Sequence, residues 1–466
     1  MPPSVVPVPR AAALAAFILL VGAHPAPGEP APRTRELPLL TVAHTQFTLA
    51  NGLRVVLHED HSVPLVSVNV WYHVGSARER PGRTGFAHLF EHIMFEGSQH
   101  VAQGQFDSLL ESHGGENNGS TNPDRTNYFI TVPSNALELA LFLESDRMGY
   151  LLDTMSLKTV DAQRDVVKNE RRQRVENEPY GMADVVLNEM LFPEGHPYHW
   201  PVIGYMPDLT AASYDDVVAF FKTYYAPSNA SLAVAGDIDT ATARRLVEKW
   251  FGDVKPGARP DPMAIPGAAL SSVKKQTITD RVQLPRLYLA WLTPALYAPG
   301  DAALDVVSSI LTSGKNSRLY KRLVYDLQIA QSVQAFQGSM ALASTFVIEA
   351  TPRPGHTIGE LQTIIDEEIA RLQTEAPATR EVERALNQYE ASFYSRMERV
   401  GGFGGKADQL NAYYTNTGNP DWFNEDLARY RSLSPTDVRA AAAQFLPKDR
   451  RVELTVVPEG NPGQRR

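Results

Sequence analysis

Pro81-Gly82-Arg83-Thr84-Gly85-Phe86-Ala87-His88-Leu89-Phe90-Glu91-His92-Ile93-Met94-Phe95-Glu96-Gly97 is the stretch from which the architecture is read. A Pro-Gly turn opens it, the apolar spacing predicts a helix over 84–96, and Gly97 stops that helix. Ahead of it, residues 65–74 alternate as a strand, with Val66, Val68 and Val70 on one face and Ser67 and Asn69 on the other. The same order returns as a strand over 287–292, a turn at Pro299-Gly300 and a helix over 302–311 that ends near Ser313-Gly314. Taking 299 minus 81 gives an offset of 218, which sets Val306, Ser309 and Ile310 where the first copy has His88, Glu91 and His92. The chain therefore reads as a diverged duplication in which only the first half can bind metal.

Other local signals complete an α+β pattern. Asn51-Gly52 marks a tight two-residue hairpin turn within 47–57, with positive φ expected at both residues. A short helix over 105–112 closes at Gly114-Gly115, a strand covers 126–132, and helices begin near the N-caps Ser134 and Ser156. Pro256, Pro260, Pro262 and Pro266 mark a linker that divides the chain nearly in half.

With 466 residues and 43% hydrophobic content, the chain can bury large cores. A formal charge of -9 argues against a nucleic-acid binder, whose phosphate contacts need a clustered excess of Lys and Arg. There is no cysteine, so disulfides, thiolate nucleophiles and cysteine metal sites are excluded, and any metal must use His and carboxylates. The apolar run 11–23 follows Arg10 and precedes a Pro-rich stretch, as in a signal peptide cleaved after Val21-Gly22-Ala23, with a linker over 24–44. Export, to the periplasm, is the expectation. The alternative is an uncleaved N-terminal membrane anchor, for which the run is short.

His88 and His92 are four apart on a helix, so both imidazoles can reach one metal ion. Glu91 lies beside them, where it can act as general base on a metal-bound water, while Phe86, Leu89, Phe90 and Ile93 face the core. A third ligand is still needed, and a carboxylate suits zinc beside two imidazoles. Candidates lie in and after Asp165-Val166-Val167-Lys168-Asn169-Glu170-Arg171-Arg172, on a long charged helix expected over 156–176.

His88-x-x-Glu91-His92, the segment 164–170, Gly195-His196-Pro197-Tyr198, and Tyr225-Ala226-Pro227-Ser228-Asn229 through Gly236-Asp237 together resemble the inverted zinc peptidases. That is the family of pitrilysin, insulin-degrading enzyme and the mitochondrial processing peptidase. The resemblance runs from about His44 to Pro458 and is to the half-size members. It implies two homologous α/β domains, each a mainly antiparallel sheet packed with helices, here over 45–254 and 281–460 with a linker over 255–280, and dimers that enclose a chamber. It also implies one Zn2+ per chain on His88, His92 and Glu170, with Glu91 as the base that activates water for hydrolysis of peptides or unfolded polypeptide. Glu176 and Glu178 are rival carboxylates, but only Glu170 follows the family's segment.

Residues 114–121 resemble the family's edge strand, which takes up substrate as an added strand, and Asn118 is the residue expected to touch substrate backbone. Gln163 stands where many members carry a second glutamate supporting the zinc site. Val324 and Gln331 occupy the places where the family usually presents an Arg and a Tyr to the substrate. The expectation is therefore a heterodimer in which a homologous partner supplies Arg and Tyr, preferred to a homodimer that uses shifted residues such as Arg318, Tyr320, Arg322 or Tyr325. The alternative function is a catalytically silent, peptide-binding or scaffold subunit. His73, His100 and His113 are expected to be structural, Arg171, Arg172 and Arg174 to form a solvated face, and Gly401-Gly402-Phe403-Gly404-Gly405 to be a flexible exposed element.

Overall fold

A computed structural model describes residues 39–263 and 265–460; the expected signal peptide and residues 24–38 of the expected linker lie outside these. In chain order, β1 (Thr45–Thr48), β2 (Arg54–Glu59) and β3 (Leu65–Tyr72) lead to α1 (Phe86–Ile93) and α2 (Gln105–Ser112). The hairpin β4 (Glu116–Thr121) and β5 (Thr126–Pro133) follows, then α3 (Leu137–Tyr150), α4 (Leu157–Arg171), α5 (Ala183–Leu191), α6 (Met206–Ala211) and α7 (Tyr214–Tyr224). Strand β6 (Ala230–Gly236) and α8 (Thr240–Phe251) close the first half. The second half runs β7 (Lys274–Asp280), β8 (Arg286–Thr293), α9 (Asp301–Thr312), β9 (Ala330–Gly338) and β10 (Ser344–Pro352). It ends with α10 (Ile358–Thr374), α11 (Thr379–Met397), α12 (Lys406–Thr417), α13 (Phe423–Arg431), α14 (Pro435–Phe445) and β11 (Val452–Pro458).

The strand orders are β1-β2-β6-β3-β5-β4 and β7-β11-β8-β10-β9. Without β1 they correspond strand for strand, each with one parallel pair, β2 with β6 and β7 with β11, and antiparallel pairs elsewhere. The duplication is thus present in the topology. Helices α1 and α9 both start from a left-handed glycine, Gly85 (φ 88°) and Gly300 (φ 99°). Aligning those caps corrects the offset to 300 minus 85, or 215, which places Ala303, Val306 and Val307 opposite His88, Glu91 and His92. Strand β7 lies inside the stretch expected as linker, so the connection ends at residue 273.

Val66, Val68, Val70 and Tyr72 enter the core under α1 and α3 as their alternation requires. Ser67 and Asn69 face the other way yet are fully buried, because α12 of the second half covers that face. In return α5 of the first half packs on β8 and β11 through Val186 and Leu187. Each half therefore shields the other's sheet, and the described residues from Leu40 to Gly460 form one compact unit.

Two local expectations fail for identifiable reasons. The first hairpin pairs Thr48 with Arg54, leaving a five-residue turn; only Gly52 has positive φ (90°). Asn51 instead donates to the carbonyls of Phe251 (2.7 Å) and Val254 (2.9 Å). The run 401–405 packs down instead of standing free: a Cβ on Gly401 would lie 2.1 Å from Thr131 Oγ1, and Gly404 N donates to Asp408 Oδ2 (2.8 Å). Among the described residues, no helix is long and apolar enough to cross a membrane.

Candidate metal centre

Helix α1 has no capping side chain at its own N-cap, Gly85. Glu79 serves instead, its buried carboxylate accepting from Gly85 N (2.8 Å) and Ala87 N (2.8 Å). Burial pushes the Glu79 carboxyl well up, opposed by the N–H groups at the helix start. Phe86, Leu89, Phe90 and Ile93 are buried against the sheet, as expected. The turn before and after this start is pinned by Thr84, which donates to Asp208 Oδ2 (2.7 Å) and accepts from Tyr205 N (2.8 Å).

Helix α4 carries Glu170 in its last turn, and Ser156 caps its start by accepting from Thr159 N (3.2 Å). Two ties hold it beside α1. Gln163 Nε2 donates to Glu96 Oε1, just beyond the end of α1, and Gln103 Nε2 donates to Glu96 Oε2. At the other end Arg171 donates to Gly204 O (2.7 Å), and Gly204 lies directly on Gly85, where a Cβ would come within 2.5 Å of the Gly85 Cα. Arg171 is buried, so it does not belong to the solvated face expected for it.

These ties bring three ligand atoms, one each from His88, His92 and Glu170, within 4.8 Å of one another. Glu170 Oε2 lies 3.2 Å from His92 Nε2 and 3.6 Å from His88 Nε2, and Arg174 holds Oε1 at 2.8 Å. His92, then His88 and Arg174, keep the Glu170 carboxyl below its ordinary range. Burial and the neighbouring His92 push His88 down to about 4, so its imidazole is neutral and can ligate at pH 7. Glu170 Oε2 and His88 Nδ1 are buried with no hydrogen-bond partner. A buried carboxylate oxygen without a donor is costly, and a cation removes that cost, so the residues fit a divalent ion. Two imidazoles and one carboxylate match zinc with an open coordination position.

Glu91 is pushed up by burial and receives a hydrogen bond from Thr121 Oγ1 (2.5 Å). Gly119 passes so close that a Cβ there would lie 3.1 Å from Glu91 Cγ. Both residues belong to β4, the edge of its sheet. Asn122 N donates to Arg125 O (3.0 Å), and antiparallel alternation from that pair leaves the main-chain groups of Asn117, Gly119 and Thr121 on the open edge. Asn118 is exposed, and its Oδ1 accepts from Gly119 N (2.8 Å), masking one of those groups.

Other sequence candidates lie elsewhere. Gln163 bonds Glu96 and none of the three ligands. Glu176 accepts from Arg171 (3.2 Å). Burial and Arg54 push His73 down to about 3, and His100 binds Asp146 (2.5 Å). Val324 packs on the second core, and Gln331 is exposed on β9. Arg318 is committed to Glu381 (2.9 Å at both contacts) and Arg322 to Glu367 and Glu368, while Tyr325 is 71% exposed. Sequence reasoning gives no role to Glu79, and marks Thr121 only as the last residue of the expected edge strand.

The chain is similar to known proteins in sequence and in fold. Residues 54–193 match the family described as "Insulinase (Peptidase family M16)", and residues 211–389 match "Peptidase M16 inactive domain". The zinc protease PqqE of Helicobacter pylori is 33% identical over 371 residues, covering 76% of this chain and 80% of that protein. A crystal structure of a protease from Helicobacter pylori superimposes with a TM-score of 0.82 at 27% identity, over 89% of this chain and 99% of that one. The periplasmic protease PqqL from Escherichia coli shares the fold, with a TM-score of 0.74 at 17% identity, over 90% of this chain but 48% of that one. Two family models that together span more than half of the sequence, and a relative of this closeness, make the chain a half-size member of peptidase family M16.

Proposed function

We propose that the chain is a zinc metalloendopeptidase that cuts peptides or unfolded polypeptide segments. The observation that carries this is the convergence of His88, His92 and Glu170 within 4.8 Å, with Glu91 alongside and held by the open edge strand. His88, His92 and Glu170 would hold one Zn2+ per chain, which when bound supplies Lewis acidity to the scissile carbonyl and lowers the pKa of water. Substrate pairs with the free main-chain groups of Gly119 and Thr121, and Asn118 swings off Gly119 N to contact the incoming backbone. Glu91 takes the proton of the attacking water and returns it to the leaving amine; Thr121 keeps its carboxylate oriented.

The site is half of an active centre. Val324 and Gln331 cannot replace a cation plus a phenol as donors to a developing oxyanion, and the nearby Arg318 and Arg322 are held in ion pairs. A homologous partner chain supplying Arg and Tyr, in a heterodimer, accounts for this better than a homodimer using Tyr325 alone. PqqL, about twice as long, shows the fold occurring as half of a longer chain. The apolar run 11–23 supports export to the periplasm.

The test measures bound zinc and cleavage of a quenched peptide library by wild type and Glu91→Gln, with and without a homologous partner. One zinc per chain in both, with cleavage lost only in Glu91→Gln, is expected. Protein purified without chelators that holds no zinc would leave the silent-subunit alternative. Equal activity of the lone chain and the mixture would remove the heterodimer.

A further inference from the structure

The β4–β5 turn carries a cation that the proposed mechanism does not use. Arg125 Nη1 donates to Ser120 O (2.8 Å) and Ser120 Oγ (2.8 Å), and its guanidinium lies over the Trp71 ring, 5.3 Å from the centroid. Nε is buried with no acceptor, and among the described residues no carboxylate forms an ion pair with Arg125. The nearby acids are engaged elsewhere. Asp124 accepts from Tyr198 Oη and Ala341 N (2.9 Å). Asp408 accepts from Asn69 (3.3 Å), Trp71 (2.8 Å), Asn127 (2.8 Å) and Gly404 N (2.8 Å). Burial pulls the guanidinium below its ordinary range, and the charges of Asp408, Glu91 and Asp124, none of them paired with it, offset this only in part. An incompletely satisfied, half-buried arginine at a site edge is the group that an anion from outside completes.

Strand alternation says where that anion comes from. Gly119 and Thr121 present their side-chain direction to Glu91, so Ser120 faces the opposite side of β4, where its Oγ meets Asn127 and Arg125. A peptide added to this edge places the side chain opposite Ser120 on the same face, with Cβ atoms about 5 Å apart. Its neighbours in the peptide lie over Gly119 and Thr121, the residues that flank Glu91.

We propose that Arg125 forms an acidic-side-chain subsite, receiving Asp or Glu at the substrate position opposite Ser120, immediately beside the bond presented to Glu91. This rests on the peptidase assignment for the register of the substrate, and the test separates the two. Fluorescent peptides amidated at the C-terminus, paired as Glu or Gln at each position in turn, are titrated against the zinc-loaded Glu91→Gln protein. The same titration is made with Arg125→Gln, Arg125→Lys and Ser120→Ala added, each checked for folding by circular dichroism. At one position Glu is expected to bind about tenfold tighter than Gln. That preference disappears in Arg125→Gln, persists in part in Arg125→Lys and weakens in Ser120→Ala. Wild-type cleavage sites mapped by mass spectrometry carry an acid at the same offset.

Equal affinity for Glu and Gln peptides at every position overturns the subsite, as does a preference that survives Arg125→Gln or an absence of any peptide binding. A preference that Arg125→Gln abolishes, found together with a wild type that cuts nothing, upholds the subsite and overturns the peptidase assignment.

Discussion

Gln163→Glu tests whether the two ligand-bearing helices are held together by a neutral donor. In the native chain the Gln163 amide donates to Glu96 Oε1 while Gln103 occupies Oε2, so Glu96 is satisfied at both oxygens. The substitution keeps the shape and turns the donor into a second carboxylate. Two such charges about 3 Å apart repel by about 5 kcal/mol at an effective dielectric of about 20. A proton shared by the pair limits this, because holding one carboxyl neutral at pH 7 costs about 3.7 kcal/mol from an ordinary pKa near 4.3. Both side chains are only half-buried. Solvent screening and rotation away from Glu96 bring the expected loss to about 1–2 kcal/mol. The new carboxyl is raised in the folded state, so the folded chain binds more protons and its stability falls as pH rises above about 4.3. Urea unfolding of metal-free protein should show the loss at pH 7.5 and a difference within about 0.5 kcal/mol at pH 4.5. Zinc affinity at pH 7.5 should fall as α4 moves from α1. An unchanged midpoint at pH 7.5, or the same loss at both pH values, would refute the tie.

Gly85→Ala combines a left-handed backbone (φ 88°) with a Cβ 2.7 Å from Ile203 O, and should cost about 2–4 kcal/mol. Equilibrium dialysis should also show weakened zinc binding, and unchanged zinc affinity would contradict the role of the Gly85–Gly204 contact. Asp408→Ala leaves Asn69, Trp71, Asn127 and Gly404 N without their acceptor, for about 3 kcal/mol or more in urea unfolding; a loss below about 1 kcal/mol would count against it. Asp305 is pushed up to about 6 by burial. Its folded form binds the extra proton, so stability should fall by up to about 3 kcal/mol as pH rises from about 4 to 6.5. Asp305→Asn should remove that slope, and parallel pH profiles for the two proteins would contradict the assignment.

The strand alternation over 65–72 and the 3.6-residue period of α1 were legible because each side chain's face follows from local geometry. The duplication was legible for the same reason, as a repeated strand, turn and helix. What covered the second face of the first sheet was not. Ser67 and Asn69 have the polarity of a solvated face; Asn69 finds its partners in Asp408 and Asn411, more than 300 residues away, while Ser67 Oγ is buried with none. Gly401–Gly405 has the composition of a flexible loop, and the same lack of side chains lets it lie flat on Thr131 and Ser67. Glu79 reads as one charge among Arg78, Arg80 and Arg83; its capping of α1 depends on a chain reversal that no spacing announces.

The contrast between the halves explains why the ties cluster where they do. Helix α11 packs on α9 as α4 packs on α1. In the second half the positions corresponding to His88, Glu91 and His92, namely Ala303, Val306 and Val307, are buried at 4%, 2% and 0% exposure, so that helix is held by its own apolar contacts. In the first half the same interface is lined by two imidazoles and a carboxylate, which pack poorly and leave buried polar atoms without partners in a half-buried site. Apolar packing cannot hold α4 against α1 there without closing the gap that an ion and a water need. The position of the helices must then come from contacts outside the ligand set: Glu79 at the start of α1, Gly85 on Gly204 with Arg171 at one end of α4, and Gln163 on Glu96 at the other. A metal-free half needs none of these. Stability in the first half has been moved from the interface proposed to hold the metal to its rim, which is why substitutions outside the ligand set, at Gly85 or Gln163, are expected to change zinc affinity and not only folding.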